Sequence, residues 1–183
     1  VSEVFKDAEF PIAWHKEIAD YCTQVGIHFS TSPYFKDAVD LCVDLKVPFI
    51  KIGSGEITWL EQLDYIARKN IPVMLATGDA TMSEIDEAVR TIQKTGNKDF
   101  VLMQCITNYP SKLDSANVNV LKTYQSAFDC LTGYSDHAPG HVVALASTVI
   151  GGRVIEKHFT LDKTDKGPDH TSLNGASGVQ VYG

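Results

Sequence analysis

Short apolar runs and amphipathic stretches alternate along this chain from residue 13 onward, and that alternation limits the fold more than any other feature. Trp14, Ile18, Tyr21 and Cys22 recur at helical spacing and stop at Gly26; residues 27–31 then read as a strand. Ala38, Leu41, Cys42 and Leu45 mark a second helix before a strand at 48–52. Leu60, Leu63 and Ile66 mark a third, ending near Asn70, before a strand at 72–76. Thr81 with Glu84 forms a capping-box pattern for a helix that carries Ile85, Ala88, Val89 and Ile92 and closes at Gly96. A strand at 100–104 follows, then a weaker helix over 118–128 and a strand at 130–132. Val142, Val143, Leu145, Ala146 and Val149 give the last helix, and 154–155 the last strand. Six strands, about one every 25 residues, predict an α/β protein with a parallel sheet and helices outside it.

Polar residues close every strand: Ser30 and Thr31, Lys51 and Ser54, Thr77, Thr107 and Asn108, Ser135 and His137, and His158. An open doubly wound sheet gathers such residues at one switch point, whereas a barrel draws its site from all its strand ends. The even distribution favours a (β/α)8 TIM-type barrel. Such a barrel usually needs about 250 residues, so 183 residues predict an incomplete one with about six βα units, in a single domain over 1–183.

Composition narrows the partners. With 16 Lys plus Arg against 23 Asp plus Glu, and no basic tract, a nucleic-acid partner is not expected. Local donors can still bind an anion on an acidic protein. The four cysteines, Cys22, Cys42, Cys105 and Cys130, lie in apolar stretches without metal-type spacing and read as reduced core thiols. No run has transmembrane length and the start is not a signal peptide, so a cytoplasmic protein is expected.

The chemistry concentrates in two histidines. His137 and His158 each close a short strand, 21 residues apart, with one helix between them. Neighbouring parallel strands bring both imidazoles to one crevice, where they suit a divalent metal. His15, His28 and His141 read as structural, and His170 is open between the two roles. Lys51 follows a buried strand position and precedes a Gly-Ser-Gly turn, which places its charge at a strand mouth.

Taken in order, Phe29-Ser30-Thr31, Lys51-Ile52-Gly53-Ser54-Gly55-Glu56, Ala76-Thr77-Gly78, Asn108-Tyr109-Pro110, Gly133-Tyr134-Ser135-Asp136-His137, Glu156-Lys157-His158-Phe159-Thr160 and Gly167-Pro168-Asp169-His170 resemble the sialic acid synthase family. The resemblance implies a metal-dependent condensation of phosphoenolpyruvate with an open-chain N-acyl hexosamine, N-acetylmannosamine or a bis-acetamido sugar. The product would be a nine-carbon 2-keto sugar acid, with phosphate released. It implies a metal on His137 and His158, manganese first and magnesium or cobalt as alternatives. It implies phosphoenolpyruvate held by Lys51, Thr31, Ser54, Thr77, Asn108, Tyr109 and Ser135, and a sugar hydroxyl on Asp169, although Gly-Pro-Asp is also turn chemistry. Glu56 either joins the catalytic set or opens the next helix, where its charge suits the helix dipole.

The family begins with two further strands that bear a glutamate and a second lysine, and nothing in residues 1–11 matches them. Nor does the tail match the linker to the family's small antifreeze-like C-terminal domain, through which members form homo-oligomers. Ala76 stands where many members carry a phosphate-binding hydroxyl. These departures keep two other readings open: a non-catalytic piece that binds a phosphorylated metabolite, or a Schiff-base aldolase using Lys51.

Overall fold

The structure is a computed structural model and describes residues 10–164 and 174–175. Helix α1 (Ile12–Val25) ends at Gly26, whose φ of 77° lets its amide reach back to the Cys22 and Thr23 carbonyls. Helix α2 (Lys36–Asp44) leads into β1 (Ile50–Ile52) and a 3-10 turn (Ser54–Glu56). There follow α3 (Leu60–Ala67), β2 (Val73–Ala76), α4 (Met82–Lys94), β3 (Phe100–Cys105) and a 3-10 turn (Leu113–Ser115). The remainder is α5 (Val120–Phe128), β4 (Leu131–Asp136), α6 (Val142–Val149), β5 (Val154–Lys157), β6 (Phe159–Thr160) and β7 (Asn174–Gly175). The expected capping box is present: Thr81 Oγ1 accepts the Glu84 amide, and Glu84 accepts the Thr81 amide.

Strands β1 to β5 form one parallel sheet in chain order, and β6 pairs with β7 in a second. Ile50, Val73 and Phe100 share a rung, as do Ile52, Leu75, Leu102 and Thr132 two residues on. The apolar side chains of these rungs are buried in one cluster with Leu63, Ile66, Ile85, Ala88, Val89 and Ile92 of the helices. Each large aliphatic side chain removed from water contributes about 1.5–3 kcal/mol, so this face holds the sheet to its helices. The intervening rung of Lys51, Met74, Val101 and Leu131 faces the other way, because side chains alternate along a strand.

That second face is concave. Four inter-strand steps of about 4.8 Å would put β1 and β5 about 19 Å apart in a flat sheet. Lys51 Nζ of β1 nevertheless lies 3.2 Å from Glu156 Oε2 of β5. The two side chains together reach only about 10 Å at ordinary bond lengths, so the sheet must curl to bring its outer strands together.

One expectation is corrected and one is borne out. Residues 27–31 form no strand: the Ile27 amide caps α1 at Cys22, and the Ser30 hydroxyl takes the Phe49 carbonyl at 2.7 Å, which a neighbouring strand would otherwise use. The described sheet therefore has five strands in series. The stripe of Trp14 and Tyr21 does form a helix, but α1 buries none of its residues. Among the described residues no helix is long and apolar enough to cross a membrane.

Candidate active site

The site grows from the last rungs between β3, β4 and β5. Cys105, Ser135 and Glu156 stand on one rung and share the concave face. Two residues beyond Ser135 and Glu156 come His137 and His158, on the same face by strand alternation. Their ring centroids are 5.3 Å apart at 64°. Tyr109, from the loop after β3, stacks on His137 at 4.1 Å and meets His158 edge-on at 5.6 Å.

His137 Nδ1 lies 2.7 Å from the Ile106 carbonyl, a bond only its N–H can make. Nε2 is thereby left with its lone pair, 3.4 Å from Ser135 Oγ. Burial pushes the His137 imidazole below the usual histidine range, and nearby His158 adds to this, while the Ile106 bond and the Glu156 and Asp136 carboxylates oppose it. A neutral ring with a fixed tautomer can donate its lone pair to a cation.

An ion about 2.1 Å from each ligating nitrogen puts two imidazole centres roughly 4.5–5.5 Å apart, and the observed 5.3 Å falls within that range. No group of three or more His, Cys, Asp or Glu side chains suited to a metal occurs among the described residues. The spacing of the two rings thus suits two ligands of one divalent ion.

Lys51 is 16% exposed at the side chain and pairs with Glu156, which is 38% exposed. Ser54 opens the turn after β1; its Oγ accepts the Gly78 amide at 2.9 Å and lies 3.1 Å from Cys105 Sγ. Gly78 can come this close only without a side chain, since a Cβ there would lie 2.9 Å from Ser54 Oγ and 2.6 Å from Cys105 Sγ. Thr31 is half-buried, Asn108 is exposed in the loop beside Tyr109, and Glu56 closes its 3-10 turn. Burial first and the Glu56 carboxylate second push the Tyr34 hydroxyl above the usual tyrosine range.

Thr77 is placed elsewhere. Its hydroxyl is buried, 3.1 Å from the Met103 carbonyl and 3.0 Å from the Tyr124 hydroxyl, which lies 3.1 Å from Gln104 Oε1. Strand parity turns Ala76 inward and Thr77 toward the helices, so Thr77 does not reach the concave face. Asp169 lies outside the described residues. Glu156 was not among the expected site residues, although its position two before His158 is the signal that would have found it.

A parallel α/β sheet with paired imidazoles and a lysine at its carboxyl-end crevice has the arrangement of an enzyme active site. The comparisons with known proteins give the family: the NeuB family model matches residues 1–177. The chain belongs to the NeuB family. It is 38% identical to the N,N'-diacetyllegionaminic acid synthase of Campylobacter jejuni, over 92% of this chain and 51% of that protein. It is 36% identical to the human N-acetylneuraminate-9-phosphate synthase, over 90% of this chain and 46% of that protein. The solved N-acetylneuraminic acid synthetase of Leptospira borgpetersenii superposes with a TM-score of 0.92 at 28% identity, covering 96% of this chain and 61% of that one. The chain spans about half the length of the curated relatives it matches.

Proposed function

We propose that the protein condenses phosphoenolpyruvate with the open-chain form of an N-acyl hexosamine to a nine-carbon 2-keto sugar acid, and that its curled sheet is part of a (β/α)8 barrel. The observation that carries this reading is the pair of imidazoles at adjacent strand ends, 5.3 Å apart, on the face that also holds Lys51. The names of the relatives support the product class. In the reaction, the enol π pair of phosphoenolpyruvate bonds C3 to the aldehyde carbon, and the C=O pair goes to the aldehyde oxygen. Water adds its oxygen at C2, one of its protons going to the aldehyde oxygen and the other to the departing phosphate. The bond from C2 to the phosphate oxygen then breaks, and inorganic phosphate leaves.

His137 and His158 would hold a divalent ion, manganese in this reading, which when bound supplies Lewis acidity toward the aldehyde oxygen. Lys51 binds the anionic substrate, exchanging the Glu156 carboxylate for phosphate or carboxylate oxygens. Ser135 and the Ser54 hydroxyl orient it by hydrogen bonds, and Tyr109 closes over both rings. The Ile106 carbonyl keeps the His137 proton on Nδ1 throughout. In the same reading the longer protein is a homo-oligomer.

The test is phosphate release by the full-length protein with phosphoenolpyruvate, N-acetylmannosamine and Mn²⁺, repeated with bis-acetamido and phosphorylated sugars. Turnover should need the metal and should vanish in His137→Ala and His158→Ala but persist in His15→Ala. Equal turnover in the first two variants and the parent would overturn the assignment.

A further inference from the structure

We propose that Asp136 and Lys157 are positioning residues that set the spacing of the two imidazoles. The inference rests on the metal reading given above. Asp136 and Lys157 form the last rung of the β4–β5 ladder. His137 and His158 are the next residues, past the point where backbone pairing holds the two strands in register.

The side chains of that last rung take over the task. Lys157 Nζ donates to Asp136 Oδ2 at 2.8 Å and to the Ala138 carbonyl at 2.6 Å, and lies 3.4 Å from the Asp136 carbonyl. Asp136 Oδ1 in turn accepts the Ala138 amide at 2.9 Å. Lys157, which immediately precedes His158, therefore grips the backbone on both sides of His137. A single ammonium ties the chain beneath one imidazole to the chain beneath the other.

Parity makes this compatible with catalysis. Residues 136 and 157 point away from the concave face, so the clamp occupies none of the space that a metal or substrate needs. The pair is also deeply placed, with Asp136 1% and Lys157 17% exposed at the side chain. Burying two charges costs desolvation that their attraction only partly offsets, and apolar residues of similar size often stabilise as well. Stability alone is a weak reason for an ion pair here. Its directional bonds to three atoms flanking His137 do what an apolar pair cannot, which is to fix the ring positions.

The experiment measures Mn²⁺ affinity of the full-length protein by electron paramagnetic resonance, without substrates, together with thermal midpoints. Asp136→Asn and Lys157→Met should each weaken Mn²⁺ binding about 10- to 100-fold, as loss of groups that orient metal ligands does. The double variant should bind no more weakly than the worse single, because the two act as one unit. It leaves no lone buried charge and so carries the test if a single variant does not fold. Leu63→Ala, a core change in α3, should lower the midpoint and leave Mn²⁺ affinity of the folded protein unchanged. A parent protein that binds no Mn²⁺ would overturn the metal reading and this inference with it. A parent that binds, with folded variants that bind equally well, would overturn the positioning role alone.

Discussion

Lys51 sits between Ile50 and Ile52, both buried, on a three-residue strand, so its charge can only face the concave side. Its ammonium lies 3.2 Å from Glu156 Oε2. Lys51→Ala should raise the KM for phosphoenolpyruvate about 10- to 100-fold, since hydrogen bonds to charged groups are each worth about 1.5–3 kcal/mol. Lys51→Arg should recover only part of this, because a planar fork does not reproduce a compact ammonium. Steady-state kinetics on the full-length protein decides it, and an unchanged KM in Lys51→Ala would remove Lys51 from the binding set. A second expectation concerns thiols. Burial pushes the Cys42 thiol up to about 11 and that of Cys130 likewise to about 11. A thiol protonated to that extent forms little thiolate at pH 8, and the thiolate is the reactive form. Native protein treated with iodoacetamide at pH 8 should be left unmodified at both, and rapid labelling of either in peptide mapping would contradict the burial seen here. Of the four cysteines read as core thiols, Cys42 and Cys105 are buried, while Cys22 and Cys130 are only partly so, because apolar neighbours in sequence do not fix depth.

Gly133 lies where β3, β4 and β5 come together. A Cβ there would meet the Val154 carbonyl at 2.5 Å and press on Met103 Sδ. Gly133→Ala should therefore push β5 away from β4 and destabilise the protein by about 1–3 kcal/mol, the usual cost of overpacking. It should also weaken Mn²⁺ binding, since both histidines follow those strands; chemical denaturation and metal titration of the variant check the two effects. The five paired strands and the capped helix α4 were legible because short apolar runs and a Thr-x-x-Glu pattern are local signals. The failures came from what local signals omit. Residues 27–31 have strand composition, but a strand needs a neighbour with free backbone groups, and Phe49 gives its carbonyl to a side chain. Thr77 was misplaced because one step of parity separates the concave face from the helical side, and parity follows from register. The two histidines could be placed together from sequence because each closes a short strand and a single helix lies between those strands, whereas the clamp of Asp136 and Lys157 is a side-chain geometry.

The described molecule is an arc. Strand β1 has three residues and β5 four, and among the described residues neither outer edge is paired in the five-stranded sheet. Trp14 and Tyr21 of α1 and Val142, Leu145 and Val149 of α6 are exposed. Unpaired edges and apolar faces recruit other chains. The 183-residue chain expressed alone should therefore self-associate and bind a hydrophobic dye strongly, and should show no full turnover with phosphoenolpyruvate, N-acetylmannosamine and Mn²⁺. Light scattering, dye fluorescence and phosphate release measure these together, and a monomer with full turnover would show the arc to be self-sufficient. The contact between Lys51 and Glu156 has a meaning at this scale as well. It joins the two outermost strands of the sheet across the hollow, as a string joins the tips of a bow. Any anion drawn to the lysine is therefore met by both limbs of the bow at once, since the Glu156 carboxylate stands on the far one.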